Sequence, residues 1–140
     1  MRLAIPVVLA AALAAARPCV GAETDPLSLA RPLVRTFTEN DGLPQATVHA
    51  VAFDREGYLW VGTQDGAARF DGRAFTTVDL PGKAVSSFIR TILPTRDGSV
   101  WLGKEEGGLV RLRGGKAVLF DRSAGLPAER VNHLLEAADG

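Results

Sequence analysis

Laid on itself with an offset of 41 or 42 residues, the sequence matches itself, and a repeat of that length restricts the fold to architectures that stack one supersecondary unit. Trp60 and Trp101 stand 41 positions apart. The first unit carries Val48-His49-Ala50-Val51, then Glu56-Gly57-Tyr58-Leu59-Trp60-Val61-Gly62, Asp65-Gly66, Arg69-Phe70 and Gly72. The second carries Ile89-Arg90-Thr91-Ile92, then Asp97-Gly98-Ser99-Val100-Trp101-Leu102-Gly103, Glu106-Gly107, Arg111-Leu112 and Gly114. A third copy begins at Val131-Asn132-His133-Leu134. The connectors recur too: Phe37 and Gly42-Leu43-Pro44 return 83 residues later, two periods on, as Phe120 and Gly125-Leu126-Pro127.

Each unit divides into four short strands. Val48 to Phe53, Leu59 to Thr63, Ala67 to Phe70 and Ala74 to Thr77 are apolar, β-branched or aromatic, and Arg55-Glu56-Gly57, Gln64-Asp65-Gly66 and Asp71-Gly72 separate them as hairpin turns. Four antiparallel strands in about 40 residues make one blade of a β-propeller. The fold class expected is therefore all-β, an incomplete propeller of two blades plus part of a third. Blade 1 is expected at residues 39–80, blade 2 at 81–122 and the start of blade 3 at 123–140, with a closing strand at 33–38. A propeller needs at least four blades, about 160 residues of repeat, and roughly 110 are present here. Strand edges left unpaired by such a piece invite edge-to-edge association, including a homodimer.

The first 22 residues differ from the rest. Arg2 gives a positive start, Leu3 to Ala16 is apolar but too short for a bilayer span, and Val20-Gly21-Ala22 offers small residues for cleavage. Residues 1–22 read as a secretory signal peptide and 23–32 as a leader segment. The sole cysteine, Cys19, lies in this signal, and Arg17-Pro18 before it suits lipidation poorly, so the mature chain is expected to carry no thiol. Its charge is nearly balanced: removing Arg2 and Arg17 from 16 basic residues leaves 14 against 16 acidic ones. With no run of either sign, nothing points to nucleic acid as a partner.

Catalytic chemistry is thinly represented. His49 and His133 are the only histidines and occupy different positions of the repeat, without the further ligands that a metal or a triad requires. No catalytic residue, metal or cofactor is expected in this segment. One column of the repeat does vary in an informative way. Beside the apolar Val48, Ile89 and Val131, the next position holds His49, Arg90 and Asn132, polar and different in each copy. Lining a central channel, these three are the candidate ligand contacts. Trp60 and Trp101, by contrast, sit among apolar neighbours at one shared position and read as core wedges between blades. Gly57 and Gly98, and Gly62 and Gly103, complete the structural repeat.

Asp41-Gly42-Leu43-Pro44, Gly57-x-Leu59-Trp60-Val61-Gly62-Thr63 and Gly66-x-x-Arg69-Phe70-Asp71-Gly72 closely resemble the two-component regulator propeller repeat. The resemblance runs from about Leu33 to the end. Lys104 replaces the usual Thr, and Ala67-Ala68 the usual Gly-Leu. It implies a ligand-sensing propeller region on the periplasmic face of the inner membrane. The parent would be a bacterial transmembrane signalling protein with a histidine kinase, hybrid two-component or diguanylate cyclase output. The partners it implies are a small-molecule or oligosaccharide ligand and the remaining blades of the same chain. An exported propeller enzyme, a lyase or glycan hydrolase, and a plain binding scaffold are the alternatives.

Overall fold

The computed structural model describes residues 34–82 and 86–138. The signal peptide and leader expected at 1–32 lie outside the described residues. From Arg35 onward the chain forms one unit, and its regular structure is two sheets of the same design.

The first sheet contains β1 (Val48–Phe53), β2 (Leu59–Thr63), β3 (Gly66–Phe70) and β4 (Phe75–Thr77), and the second β5 (Ile89–Pro94), β6 (Val100–Lys104), β7 (Leu109–Arg113) and β8 (Lys116–Phe120). Both are antiparallel meanders, ordered β1-β2-β3-β4 and β5-β6-β7-β8. Expected and observed strands of the first unit agree to within one residue at each end. Tight turns give this result, because each meander corner is fixed by a glycine in the left-handed region, at Gly57 (φ 88°) and Gly98 (φ 79°) between the first two strands of each blade.

The two sheets pack face to face. Trp60, Ala67 and Leu80 from the first blade meet Ile89, Val100, Leu102 and Val110 from the second, all buried. Trp60 is only 7% exposed in this cluster, and its indole Nε1 donates to Asp54 Oδ2 at 2.7 Å. Trp101 holds the equivalent place in the second blade, on the side turned away from the first, and is half-buried. The opposite outer face shows the same asymmetry. Val51 and Phe53 on β1 are 62% and 71% exposed, while their repeat equivalents Ile92 and Pro94 are half-buried.

Gly62 and Gly103 recur for a reason different from that of the turn glycines. A Cβ at Gly62 would lie 2.7 Å from Ile89 Cγ2, and one at Gly103 would lie 2.5 Å from Thr91 Cγ2 and 2.8 Å from Val131 Cγ1. Each glycine thus leaves room for the first residue of the next copy. The third copy follows the same rule without being a strand. Arg55 Nη1 donates to Arg96 O at 2.5 Å, and Arg96, one repeat on, donates from Nη1 to Ala138 O at 2.9 Å. Residues 131–137 therefore run where a first strand belongs, and among the described residues no second strand is present to complete a ladder.

The recurring connectors are short 3₁₀ turns at Glu39–Asp41 and Arg122–Ala124. Thr38 and Asp121 cap them, and Gly42 (φ 96°) and Gly125 (φ 90°) end them in the left-handed region. Residues 34–38, within the expected closing strand, join neither sheet. Phe37 nevertheless packs edge-on against Phe70 and Phe75, at 5.1 and 5.2 Å between ring centroids. Those are the repeat equivalents of Leu112 and Ala117, and one repeat after Phe37 stands Val78, which packs into the same inter-blade core as those two residues.

Lys104 departs from the repeat and is 1% exposed. Its counterpart Thr63 bonds locally, its hydroxyl donating to Gly66 O at 3.0 Å, whereas Lys104 Nζ donates to Gly82 O at 2.9 Å in the connector between blades. Burial pushes the ammonium below its ordinary value of 10.5. Between the lowered folded value and 10.5 the unfolded chain holds more protons, so stability rises with pH there and the buried charge is destabilising at neutrality. Lys104→Met is expected to add about 1 kcal/mol at pH 7 and to abolish the alkaline rise, as read by urea denaturation at two pH values.

Candidate functional site

The pairing of β1 with β2 slips between Val48 and Ala50, and that of β5 with β6 slips between Ile89 and Thr91. His49 and Arg90 are the extra residues of these two β-bulges. A bulge takes a residue out of the ladder and re-aims its side chain, which accounts for a polar residue in an otherwise apolar strand. Both side chains are exposed.

Phe88 joins them. His49 stacks on its ring with centroids 4.3 Å apart, and the Arg90 guanidinium lies 5.7 Å from the same centroid. Arg90 Nη1 donates to Asn132 Oδ1 at 3.0 Å, so all three members of the varying column are connected. Glu105, just after β6, pairs with Arg90 Nε and, at 2.5 Å, with Arg130 Nη2. The backbone holds this cluster in place: Glu105 N–H donates to Phe88 O at 2.9 Å, and Val131 N–H to Lys104 O at 3.0 Å.

Two arginines share one carboxylate here, with an amide and an imidazole alongside. The arrangement offers donors that suit hydroxyls and carboxylates, at the end of the strands where each blade is entered. Phe88 and Arg130 sit in connectors, where the copies do not match, and Glu105 sits in the hairpin turn after β6, where an acidic residue reads as solvated. Among the described residues no group of three or more His, Cys, Asp or Glu side chains is placed to hold a metal ion, and no helix is long and apolar enough to cross a membrane.

At the other end of the strands, Asp97 organises the second blade's first turn. Its carboxylate accepts from the Thr95 hydroxyl at 2.7 Å, the Ser99 N–H at 2.9 Å and the Ser99 hydroxyl at 3.0 Å, and pairs with Arg111 at 2.9 Å and Arg113 at 3.2 Å. The Thr95 hydroxyl, then the Ser99 N–H and hydroxyl and Arg111, hold its pKa well below the ordinary 3.8. A depressed native value stabilises the fold above 3.8, and that contribution disappears as pH falls below it toward the native pKa. Asp97→Asn should lower the melting temperature at neutral pH, and the difference from the parent should shrink as the pH is taken below about 4.

Three comparisons place this geometry among known proteins. The family described as "Two component regulator propeller" matches residues 42–65. Histidine kinase P4 of Formosa agariphila is 49% identical over 41 residues, which is 29% of this chain and 3% of that protein. The extracellular domain of a hybrid two component system from B. thetaiotaomicron superimposes with a TM-score of 0.57 at 24% identity, over 69% of this chain and 14% of the solved one. The chain thus spans a small part of each, and the structural match concerns the fold: a propeller, of which two complete blades are described here. Residues 42–65 thus match the two component regulator propeller, and beyond them the likeness to known proteins is one of fold.

Proposed function

We infer that this chain is a ligand-sensing propeller region on the outer side of a bacterial membrane, in the N-terminal part of a protein that signals inward. The observation that carries this reading is the bulge column. His49 and Arg90 are both extruded from the ladder of their blade's first strand, and with Asn132 they converge around Phe88. Positions that differ between blades while the framework repeats are where a repeat protein acquires specificity. The relatives support the signalling context, one being a histidine kinase and another the extracellular domain of a hybrid two component system. A kinase or diguanylate cyclase output, a transmembrane helix and a closing strand at 33–38 belong to the same proposal, the last supported by the seat of Phe37 on Phe70 and Phe75.

Alkaline phosphatase fused after residue 138 of the chain in a bacterial host tests the location. A fusion that is active, and that loses its activity when residues 1–22 are removed, supports export, and an inactive fusion argues against it. Sensing is tested in the full-length protein by following a target-gene reporter across a panel of oligosaccharides and small acids. Arg90→Ala should weaken the response about tenfold or more while leaving the protein level unchanged, and an unaltered dose curve would remove the column from the ligand site.

A further inference from the structure

A cleft of about 480 Å³ lies between the blades at the end opposite the bulges, within the size range of small-molecule sites. Its apolar floor includes Trp60, Val78, Val100 and Leu112, and Arg69 and Arg113 stand at its walls.

The two blades treat one repeated arginine differently. Arg69 and Arg111 are equivalent, each lying opposite its blade's tryptophan in the ladder between second and third strands. Arg111 is fully engaged: Nη2 meets Asp97 Oδ2 at 2.9 Å and Nε donates to Ser99 Oγ at 2.9 Å. In the first blade the places of Asp97 and Ser99 are taken by Glu56 and Tyr58. Arg69 instead lies over the Tyr58 ring, 4.2 Å from its centroid, and among the described residues it forms no ion pair.

The other charges around the cleft are largely committed. Asp54 accepts from the Glu56 and Tyr58 N–H groups, both at 3.0 Å, and from the Trp60 indole. Arg55 donates to Arg96 O, and Arg113 is paired with Asp97. Glu56 and Asp79 also line the cleft, on its exposed rim. Arg69 therefore brings a half-buried guanidinium, without a carboxylate, to the edge of an apolar floor.

We propose that this inter-blade cleft is a second binding site, for a small molecule carrying a carboxylate on an apolar body. The ligand's carboxylate occupies at Arg69 the place that Asp97 occupies at Arg111, a pairing for which a planar guanidinium is suited. Its apolar body covers Trp60 and Val100. The site stands apart from the bulge column, so the fate of the sensing proposal does not decide it.

The chain has two tryptophans, and only Trp60 lines the cleft, which gives the test a built-in control. Benzoate is titrated into the ¹⁵N-labelled full chain at about millimolar concentrations while both indole N–H signals are followed, with benzamide as the neutral isostere. Benzoate should move the Trp60 signal and leave that of Trp101 in place, and benzamide should bind about tenfold or more weakly. Arg69→Met should weaken benzoate to the level of benzamide, and Arg69→Lys should restore part of the loss. No movement of the Trp60 signal, equal movement of both signals, equal binding of benzamide, or unchanged binding by Arg69→Met overturns the proposal. Should Arg69→Met fail to fold, the benzoate and benzamide comparison in the parent decides alone.

Discussion

Replacing Gly62 by Val is expected to destabilise the protein by about 3 kcal/mol, through the contact between blades and not through backbone strain. The backbone at Gly62 is not in the left-handed region. A Cβ there, however, would sit 2.7 Å from Ile89 Cγ2, 3.0 Å from Ile89 Cβ and 3.3 Å from Ile89 O. Carbon atoms pack comfortably only at about 3.5–4.0 Å, so β5 would have to move away from β2 and open the core that Ile89 closes. Gly57→Val is the informative comparison. At Gly57 a Cβ would meet nothing within 4 Å, but φ is +88°, so only strain applies, at about 1–2 kcal/mol. Urea denaturation of the two variants should show Gly62→Val as the more damaging. The reverse order would mean that Ile89 does not close against Gly62.

The second large effect is expected at Trp60. Trp60→Ala removes the central side chain of the inter-blade core and leaves Asp54 Oδ2 without its indole donor, at a cost of about 3–5 kcal/mol. Trp101→Ala should cost only about 1–2 kcal/mol, because Trp101 is half-buried and packs on Phe120 with centroids 5.6 Å apart, beside an open groove lined by Leu93, Leu109 and Leu134. Thermal melts of the two variants measure the difference. Equal losses would show that the two blades are covered alike, contrary to the packing described here.

Much of this architecture was legible in the amino-acid sequence. The strands of the first unit follow from apolar runs punctuated by Gly, since each corner needs a residue that accepts positive φ, and no non-glycine residue among those described adopts it. The repeat period also marked Gly62 and Gly103 as equivalent. What it did not reveal is why they recur, because the contact lies between blades, with Ile89 and Val131 of the following copies.

The candidate site was partly legible for a related reason. His49, Arg90 and Asn132 stood out as a polar, varying column beside an apolar one, but the bulges that extrude the first two leave no mark on spacing, since both blades have them and the period is unchanged. Phe88, which joins His49 to Arg90, lies in a connector where the copies do not match. The inter-blade cleft was invisible. Its character depends on Arg69 facing Tyr58 where Arg111 faces Ser99 and Asp97, and alignment of the copies marks the two arginines simply as the same.

Both proposed sites require the blades to meet as described, and this contact can be observed directly in isotope-labelled protein by nuclear Overhauser effects. Strong effects between the Gly62 α-protons and the Ile89 γ2 methyl, and between the Gly103 α-protons and a Val131 methyl, are the predicted result. Loss of both, with the strand-to-strand effects inside each sheet retained, would contradict the account by showing two meanders that do not stack as neighbouring blades.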